Sequence, residues 1–321
     1  MTPAWRSHVD GYRTPRVARG AFEVASTVVV AAAAFCVAAS AEFAAVEVVA
    51  GAVYAGALLR LFVLQHDCGH GALFPLRWQN DVVGALVCCL VITPYDEWRK
   101  SHALHHASSS HLGRRSWGDI YTMTVDEWRA ASPLQRLRYR LRRNPVVLFA
   151  VAPLVVFLIK HRFKGSLCEG TPRGRNFWNV HLTTLVSALL IYGLYRAGGV
   201  EFVVVHGLAL WFAGAVGVWL FYIQHQFEET FWSDAAAYDY NRAGLQGSSF
   251  YDLHPVLHWF TGNIGFHHIH HLDPRVPLYR LPACHRAGAS LFAEVPRLTL
   301  WSSLGTVRLK LWDGRHLVPF E

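Results

Sequence analysis

Long apolar runs alternate with polar, histidine-rich stretches along this chain. Residues 21–40 hold one charged side chain, Glu23, and residues 43–59 hold one, Glu47; residues 180–195 and 202–223 hold none. Each run approaches the ~20 residues that cross a ~30 Å hydrocarbon core, so the pattern predicts an all-α integral membrane protein. Two apolar pieces are too short to cross. Residues 82–92 would form roughly 16 Å of helix, and residues 146–159 contain Pro153 with basic residues at both ends.

Basic loops mark the cytoplasmic side. With residues 1–20 as a basic cytoplasmic tail, 21–40 crosses outward and 43–64 returns. Residues 82–92 and 146–159 are expected to be re-entrant or interfacial. Residues 180–195 and 202–223 then cross out and back through the turn Arg196-Ala197-Gly198-Gly199. Four transmembrane helices result, in one domain over 1–321, with every histidine-rich stretch on the cytoplasmic face. The N-terminal residues lack the compact apolar core and small-residue cleavage site of a cleaved signal.

Composition sharpens this picture. Hydrophobic residues make up 53% of the chain and charged residues 16%. The six cysteines (Cys36, Cys68, Cys88, Cys89, Cys168, Cys284) form no CxxC pair, which argues against a disulfide framework, a zinc ribbon or a built-in iron–sulfur cluster. The net charge of +8 is concentrated: ten Lys and Arg lie between Arg99 and Arg143, ending in LQRLRYRLRR. Leu134, Leu137 and Leu141 recur there at helical spacing. A helix lying on an anionic leaflet accounts for both features, and nucleic acid is the weaker reading.

Three polar stretches carry the chemistry: HDCGH (His66, His70), HALHH (His102, His105, His106) and HHIHH (His267, His268, His270, His271). Their fifteen residues hold nine of the nineteen histidines, which chance scatter does not explain. On a helix, positions i, i+3 and i+4 share a face, so each motif is expected to aim two or three imidazoles at one point. His267, His270 and His271 satisfy that spacing and leave His268 over. Eight ligands exceed one tetrahedral zinc and fit two metal ions with open positions. Imidazole suits zinc, copper, iron and nickel alike. His225, in FYIQHQFEE at the end of the last apolar run, is the ninth candidate.

These motifs, at these separations and among four expected spans, resemble the membrane fatty acid desaturase superfamily, the histidine-box di-iron enzymes. The flanking stretches HDCGHGALF, EWRKSHALHHASSSHLGRR, WGDIYTMTVDEW, HQFEETFW and GNIGFHHIHHLDPRVPLYRL resemble the bacterial acyl-lipid omega-6 (delta-12) type. The resemblance covers about residues 40–285. It implies two iron ions that activate O2 and remove two hydrogens from a fatty acyl chain, with electrons from a separate carrier of ferredoxin type or similar. Carried over position by position, it implies His66, His70, His102, His105, His106, His267, His270 and His271 as ligands, with His225 the extra one. There is one departure. The acyl-CoA desaturases of the superfamily place an Asn four residues before the extra histidine; here that position is Phe221, which leaves the rest of that iron's ligand set open.

Other residues receive weaker assignments. His268 is expected near the metals without binding them, and His181 and His206, near span ends, as hydrogen-bonded structural residues. His111, His254 and His258 stay unassigned. Asp67, Asp96, Glu97, Asp119, Glu228 and Glu229 are candidate acceptors for the free ring N–H of the ligands, against simple charge balance. Trp98, Trp117, Trp128 and Trp259 are expected as interfacial anchors. The function expected is O2-dependent desaturation of a lipid-linked acyl chain. Its rivals are a hydroxylase or ketolase of a fatty acid, alkane or carotenoid, and a non-enzymatic histidine-lined metal transporter, which would place its ligands along a span.

Overall fold

A computed structural model describes residues 4–115, 120–163 and 175–320. Trp117, Asp119 and Cys168 lie outside the described residues. After α1 (Ala4–Asp10) come two long helices, α2 (Val17–Ser40) and α3 (Ala44–His70). Their outer faces are apolar and exposed, with Val29, Val48 and Val49 each more than 60% accessible, as a helix packed against lipid requires. Among the described residues three helices are long and apolar enough to cross a membrane, α2, α3 and 178–225, and a fourth span results if the bent pair 133–142 and 147–162 counts as one.

The helix at 178–225 folds back on itself. Hydrogen bonding continues through α9 (Arg175–His225), yet Gly198 and Gly199 leave helical geometry, Gly199 at φ 68°. Asn179 Oδ1 accepts the Asp96 N–H at 3.0 Å, while the His225 ring lies 4.9 Å from that of His105. Asp96 and His105 are nine residues apart on one helix, about 14 Å, whereas a straight helix from 179 to 225 would run about 69 Å. Both ends of α9 therefore stand at the histidine end of the bundle. Its glycine turn lies at the other end, near the α2–α3 connection, where Phe202 packs edge-on against Phe35 at 5.3 Å.

Shorter elements build the histidine end. They are α4 (Arg77–Leu90), α5 (Tyr95–Ser108), α6 (Val125–Ala130) and α7 (Pro133–Arg142), then a distorted helix with α8 (Ala152–Leu154) at its centre. That helix turns 59° from α7. It starts beside α9, with Phe149 5.4 Å from Tyr222, and Ala150 O accepts the Trp211 indole N–H at 2.9 Å. It leaves at Arg162, which donates to Ile92 O and, at 3.0 Å, to Thr184. Both its ends thus face the histidine side. Beyond α9 follow α10 (Tyr240–Gln246), α11 (Pro255–Phe260), α12 (His267–Leu272), α13 (Leu281–Ala287) and α14 (Leu300–Gly305).

One finding departs from the all-α expectation, and one adds to the picture of the N-terminal residues. Strands of two or three residues form a sheet ordered β1 (Met123–Thr124), β4 (Leu311–Trp312), β5 (Leu317–Val318), and a parallel pair of β2 (Phe250–Asp252) with β3 (Arg297–Thr299). These loops cannot leave buried amides unpaired, so neighbouring segments pair briefly. The start of the chain is docked: Val9 is fully buried and the His8 ring meets Cys284 O at 2.9 Å.

Candidate metal centre

Each histidine stretch is held in place by local chemistry. Gly71, at φ 71°, ends α3 one residue after His70, and its N–H returns to Cys68 O at 3.0 Å. That left-handed geometry suits glycine and stops the helix at the first motif. Tyr95 opens α5 and pins it to α3, donating to Cys68 O at 2.8 Å. A side chain at Gly84 would lie 2.4 Å from the Tyr95 ring, so only glycine admits this approach. Asp67 reaches across to the loop after the third motif and accepts the Leu278 N–H at 2.7 Å. Arg60 joins three helices: it donates to Thr27 at 3.0 Å, pairs with Glu23, and donates to Trp259 O while stacking over that ring at 4.3 Å.

The structure brings all nine named histidines together, in two groups. His66, His70, His102, His106 and His270 form the first, and His105, His225, His267 and His271 the second; within each group the candidate ligand atoms lie within 4.8 Å of one another. Each motif thus aims two imidazoles at one group, and the second and third motifs each send a third to the other. The i, i+4 pairs stay together (His66 with His70, His102 with His106, His267 with His271), while the i+3 residues His105 and His270 turn to the opposite group. At 3.6 residues per turn, i and i+4 differ by about 40° around the helix, but i+3 and i+4 differ by about 100°. One helix face can therefore address two centres.

The spacing within each group fits a metal. His106 Nε2 lies 3.0 Å from both His102 Nε2 and His270 Nε2; His225 and His267 are 3.0 Å apart, and His105 and His271 3.3 Å, each through Nε2. Two imidazole nitrogens bound at ~2.0–2.1 Å to one ion lie about 2.8–3.4 Å apart for angles between square and tetrahedral. A single ring nitrogen has one proton or one lone pair, so His106 cannot hydrogen-bond to both neighbours at once. The His70 Nε2 is buried without a hydrogen-bond partner among the described residues. Burial, reinforced by neighbouring imidazoles, holds His102, His106, His267, His270 and His271 well below the ordinary imidazole value, which keeps their lone pairs free for a cation.

Ring orientation comes mostly from the backbone. His225 Nδ1 lies 2.9 Å from Gly247 O, which aims Nε2 at the second group. Of the proposed carboxylate acceptors, Asp67 lies beside His66, Oδ1 to Nδ1 at 3.5 Å; Asp96 pairs with Arg99 at 3.0 Å; Glu97 is buried. Glu228 and Glu229 are exposed. A carbonyl such as Gly247 O has no side-chain signature, so nothing in the residue pattern marks it.

The remaining residues sort themselves by contact. His268 is fully buried but turned away, its Nε2 3.2 Å from His285 Nδ1. His206 meets the Tyr54 hydroxyl at 2.7 Å, and His181 is exposed. His111 and His254 accept backbone N–H groups of Gly113 and Val256, and His258 stacks on Phe266 at 4.9 Å. Among the tryptophans, Trp128 departs from the expected interfacial anchor. Trp98 stacks on His102 at 4.6 Å and 14°, Trp128 is a core residue beside Tyr139, and Trp259 carries the Arg60 guanidinium. Phe221, where an Asn was the family expectation, lies 5.0 Å from His105 and offers no ligand atom.

A cavity of about 630 Å³ opens onto both groups. Its head is formed by His66, His102, His105 and His267 with Trp98 and Phe221, and it continues along the second half of α9 past Gly217, Gly214 and Gly207. That volume is in the range of small-molecule sites, and the lining beyond the histidines is mostly apolar, with Ser101, Arg162, Thr184, Ser187 and Gln224 as polar members.

Comparison with known proteins agrees with this architecture. The family pattern described as "Fatty acid desaturase" matches residues 43–302. The chain is 42% identical over 274 residues to a "Fatty acid desaturase" of Bacillus subtilis, covering 84% of this chain and 76% of that one. It is 30% identical over 252 residues to the "sn-2 acyl-lipid omega-3 desaturase (ferredoxin), chloroplastic" of Arabidopsis thaliana, covering 74% and 54%. It is 27% identical over 230 residues to the "sn-1 oleoyl-lipid 12-desaturase" of Synechocystis, covering 71% and 64%. The chain thus spans between half and two thirds of these last two relatives.

Proposed function

We propose, from the premise that this chain belongs to the fatty acid desaturase family of oxidoreductases, that it introduces a double bond into a lipid-linked fatty acyl chain, with omega-6 (delta-12)-like placement. One observation carries this reading: a single apolar cavity meets both histidine groups at its head. An acyl chain lying in it would present two adjacent methylenes to the centre. The whole chain, 1–321, would act as one domain with four crossings and its metal site on the cytoplasmic face.

The residues present fit two iron ions, with His66, His70, His102, His106 and His270 holding one and His105, His225, His267 and His271 the other. When bound, the iron pair supplies the O2 activation that no side chain can provide. The balanced reaction joins the acyl –CH2–CH2– unit, O2, two electrons and two protons, and yields –CH=CH– and two waters. The electrons come from a separate one-electron carrier. The protein's own work is to exclude water with the apolar lining, to set the chain in the cavity, and to hold the rings through contacts such as His225 with Gly247 O.

Expression in a host with simple lipids, followed by chromatography and mass spectrometry, tests the reading. New products lacking two hydrogens are expected. Products that instead gain one oxygen would favour the hydroxylase alternative, and unchanged lipids with a competent donor present would refute both.

A further inference from the structure

The surplus histidine of the third motif has a place but no role in the site above. His268 is fully buried, follows the second-group residue His267 directly, and its ring sits 5.0 Å from Phe292 and 6.1 Å from Phe250. An apolar side chain would pack there without penalty. The histidine has Nε2 3.2 Å from His285 Nδ1, and its own Nδ1 is buried without a partner among the described residues. A half-satisfied buried imidazole costs stability. Its partner His285 is half-buried, lies against Phe250 at 4.4 Å, and is followed by the exposed Arg286.

We propose that electrons reach the second histidine group through His285 and His268, with the half-exposed edge of His285 as the contact for a one-electron carrier. This rests on the di-iron reading above. Electronic coupling decays most slowly along bonded and hydrogen-bonded atoms. From the surface, the path is the His285 ring, a 3.2 Å ring-to-ring contact, the His268 ring, one stretch of backbone, and the His267 ring. No through-space gap interrupts it. In each passage the carrier loses one electron and the centre gains one, with no bond made or broken, and two passages serve one turnover. The four imidazoles of this group are otherwise buried, and the cavity side is taken by the acyl chain. A second approach exists: the Tyr240 hydroxyl donates to His271 O at 2.8 Å, but it ends on a carbonyl and not on a ring.

The test uses the full-length, iron-loaded chain in lipid nanodiscs under anaerobic conditions. A plant-type two-iron, two-sulfur ferredoxin, kept reduced by its NADPH reductase, is the protein donor, and dithionite with methyl viologen is the small donor. Loss of ferric absorbance reports reduction. His285→Leu and His268→Phe are expected to slow the rate at saturating ferredoxin by about an order of magnitude, with iron content and dithionite reduction unchanged, and His285→Trp to restore most of it. Three results would overturn the proposal: an unaltered saturated rate in His285→Leu, a change confined to the ferredoxin concentration needed for half-saturation, or a loss that falls on Tyr240→Phe instead. A wild-type chain that binds no iron would sink the di-iron reading itself. One that binds iron, accepts electrons from both donors and ignores His285 would sink this proposal alone.

Discussion

The second half of α9 lines the cavity with glycines at graded depth, which makes chain-length preference the most direct test of where the substrate lies. Counted along the helix from His225, Gly217 is about 12 Å away and Gly207 about 27 Å. A Cβ at Gly217 would meet only Leu59 Cδ1, at 3.6 Å, and one at Gly207 would meet nothing within 4 Å. Both sites therefore accept a side chain without backbone strain, and replacing a helical glycine should stabilise the helix by up to ~1 kcal/mol. A leucine at either point occupies volume that the acyl tail would otherwise fill. If Gly217→Leu excludes about three methylenes, at ~0.8 kcal/mol each, kcat/KM for a chain passing that point falls roughly fiftyfold, while a chain ending short of it is spared. Gly207→Leu should penalise only the longest chains. The assay feeds mixed saturated and monounsaturated acids of graded length to a host with simple lipids and reads product ratios by gas chromatography with mass spectrometry. Equal shifts from the two variants, or no shift from either in protein of wild-type abundance, would place the substrate elsewhere.

The division of the histidines makes a second test. His105→Ala and His106→Ala, adjacent in sequence, should each weaken a different metal by at least ~10–100-fold, seen as loss of two distinct iron signals by Mössbauer spectroscopy; loss of the same signal from both would contradict the two groups. Arg60→Met leaves the buried Glu23 carboxylate with only the half-exposed Arg19, at 2.7 Å, as its ion-pair partner and should cost up to ~3–5 kcal/mol in thermal unfolding in detergent, whereas Glu23→Leu with Arg60→Met should come close to wild type. The depressed cap histidines His102, His106, His267, His270 and His271 bind fewer protons in the fold than when unfolded. The stability and metal retention they support are fully present above the unfolded value of ~6.5 and are lost as pH falls below it towards the folded values. Iron release followed against pH should rise in that direction; release that grows with increasing pH would refute the sign.

Much of this molecule is readable in one dimension because its signals are local. Apolar run length reports burial in lipid, so the long helices and the two short pieces stand out without coordinates, and the glycine pair at 198–199 marks where α9 folds back. Histidine spacing names eight of the nine residues that converge, and His225 is marked by its place at the end of the last apolar run. What it cannot name is partnership. His105 and His106 are neighbours in the chain and part company in the fold, because the helix sets them about 100° apart and only the surrounding helices decide what each one faces. The Gly247 carbonyl behind His225, the Asp67 contact with Leu278, and Trp98 lying flat on His102 are all long-range or backbone features, with no residue pattern to announce them. The sequence alone therefore determined that the chain carries runs long and apolar enough to span lipid and concentrates imidazoles between them. Only the tertiary structure decided which imidazoles share a centre and where the cavity meets them, since those depend on how separate helices pack rather than on what any one of them contains.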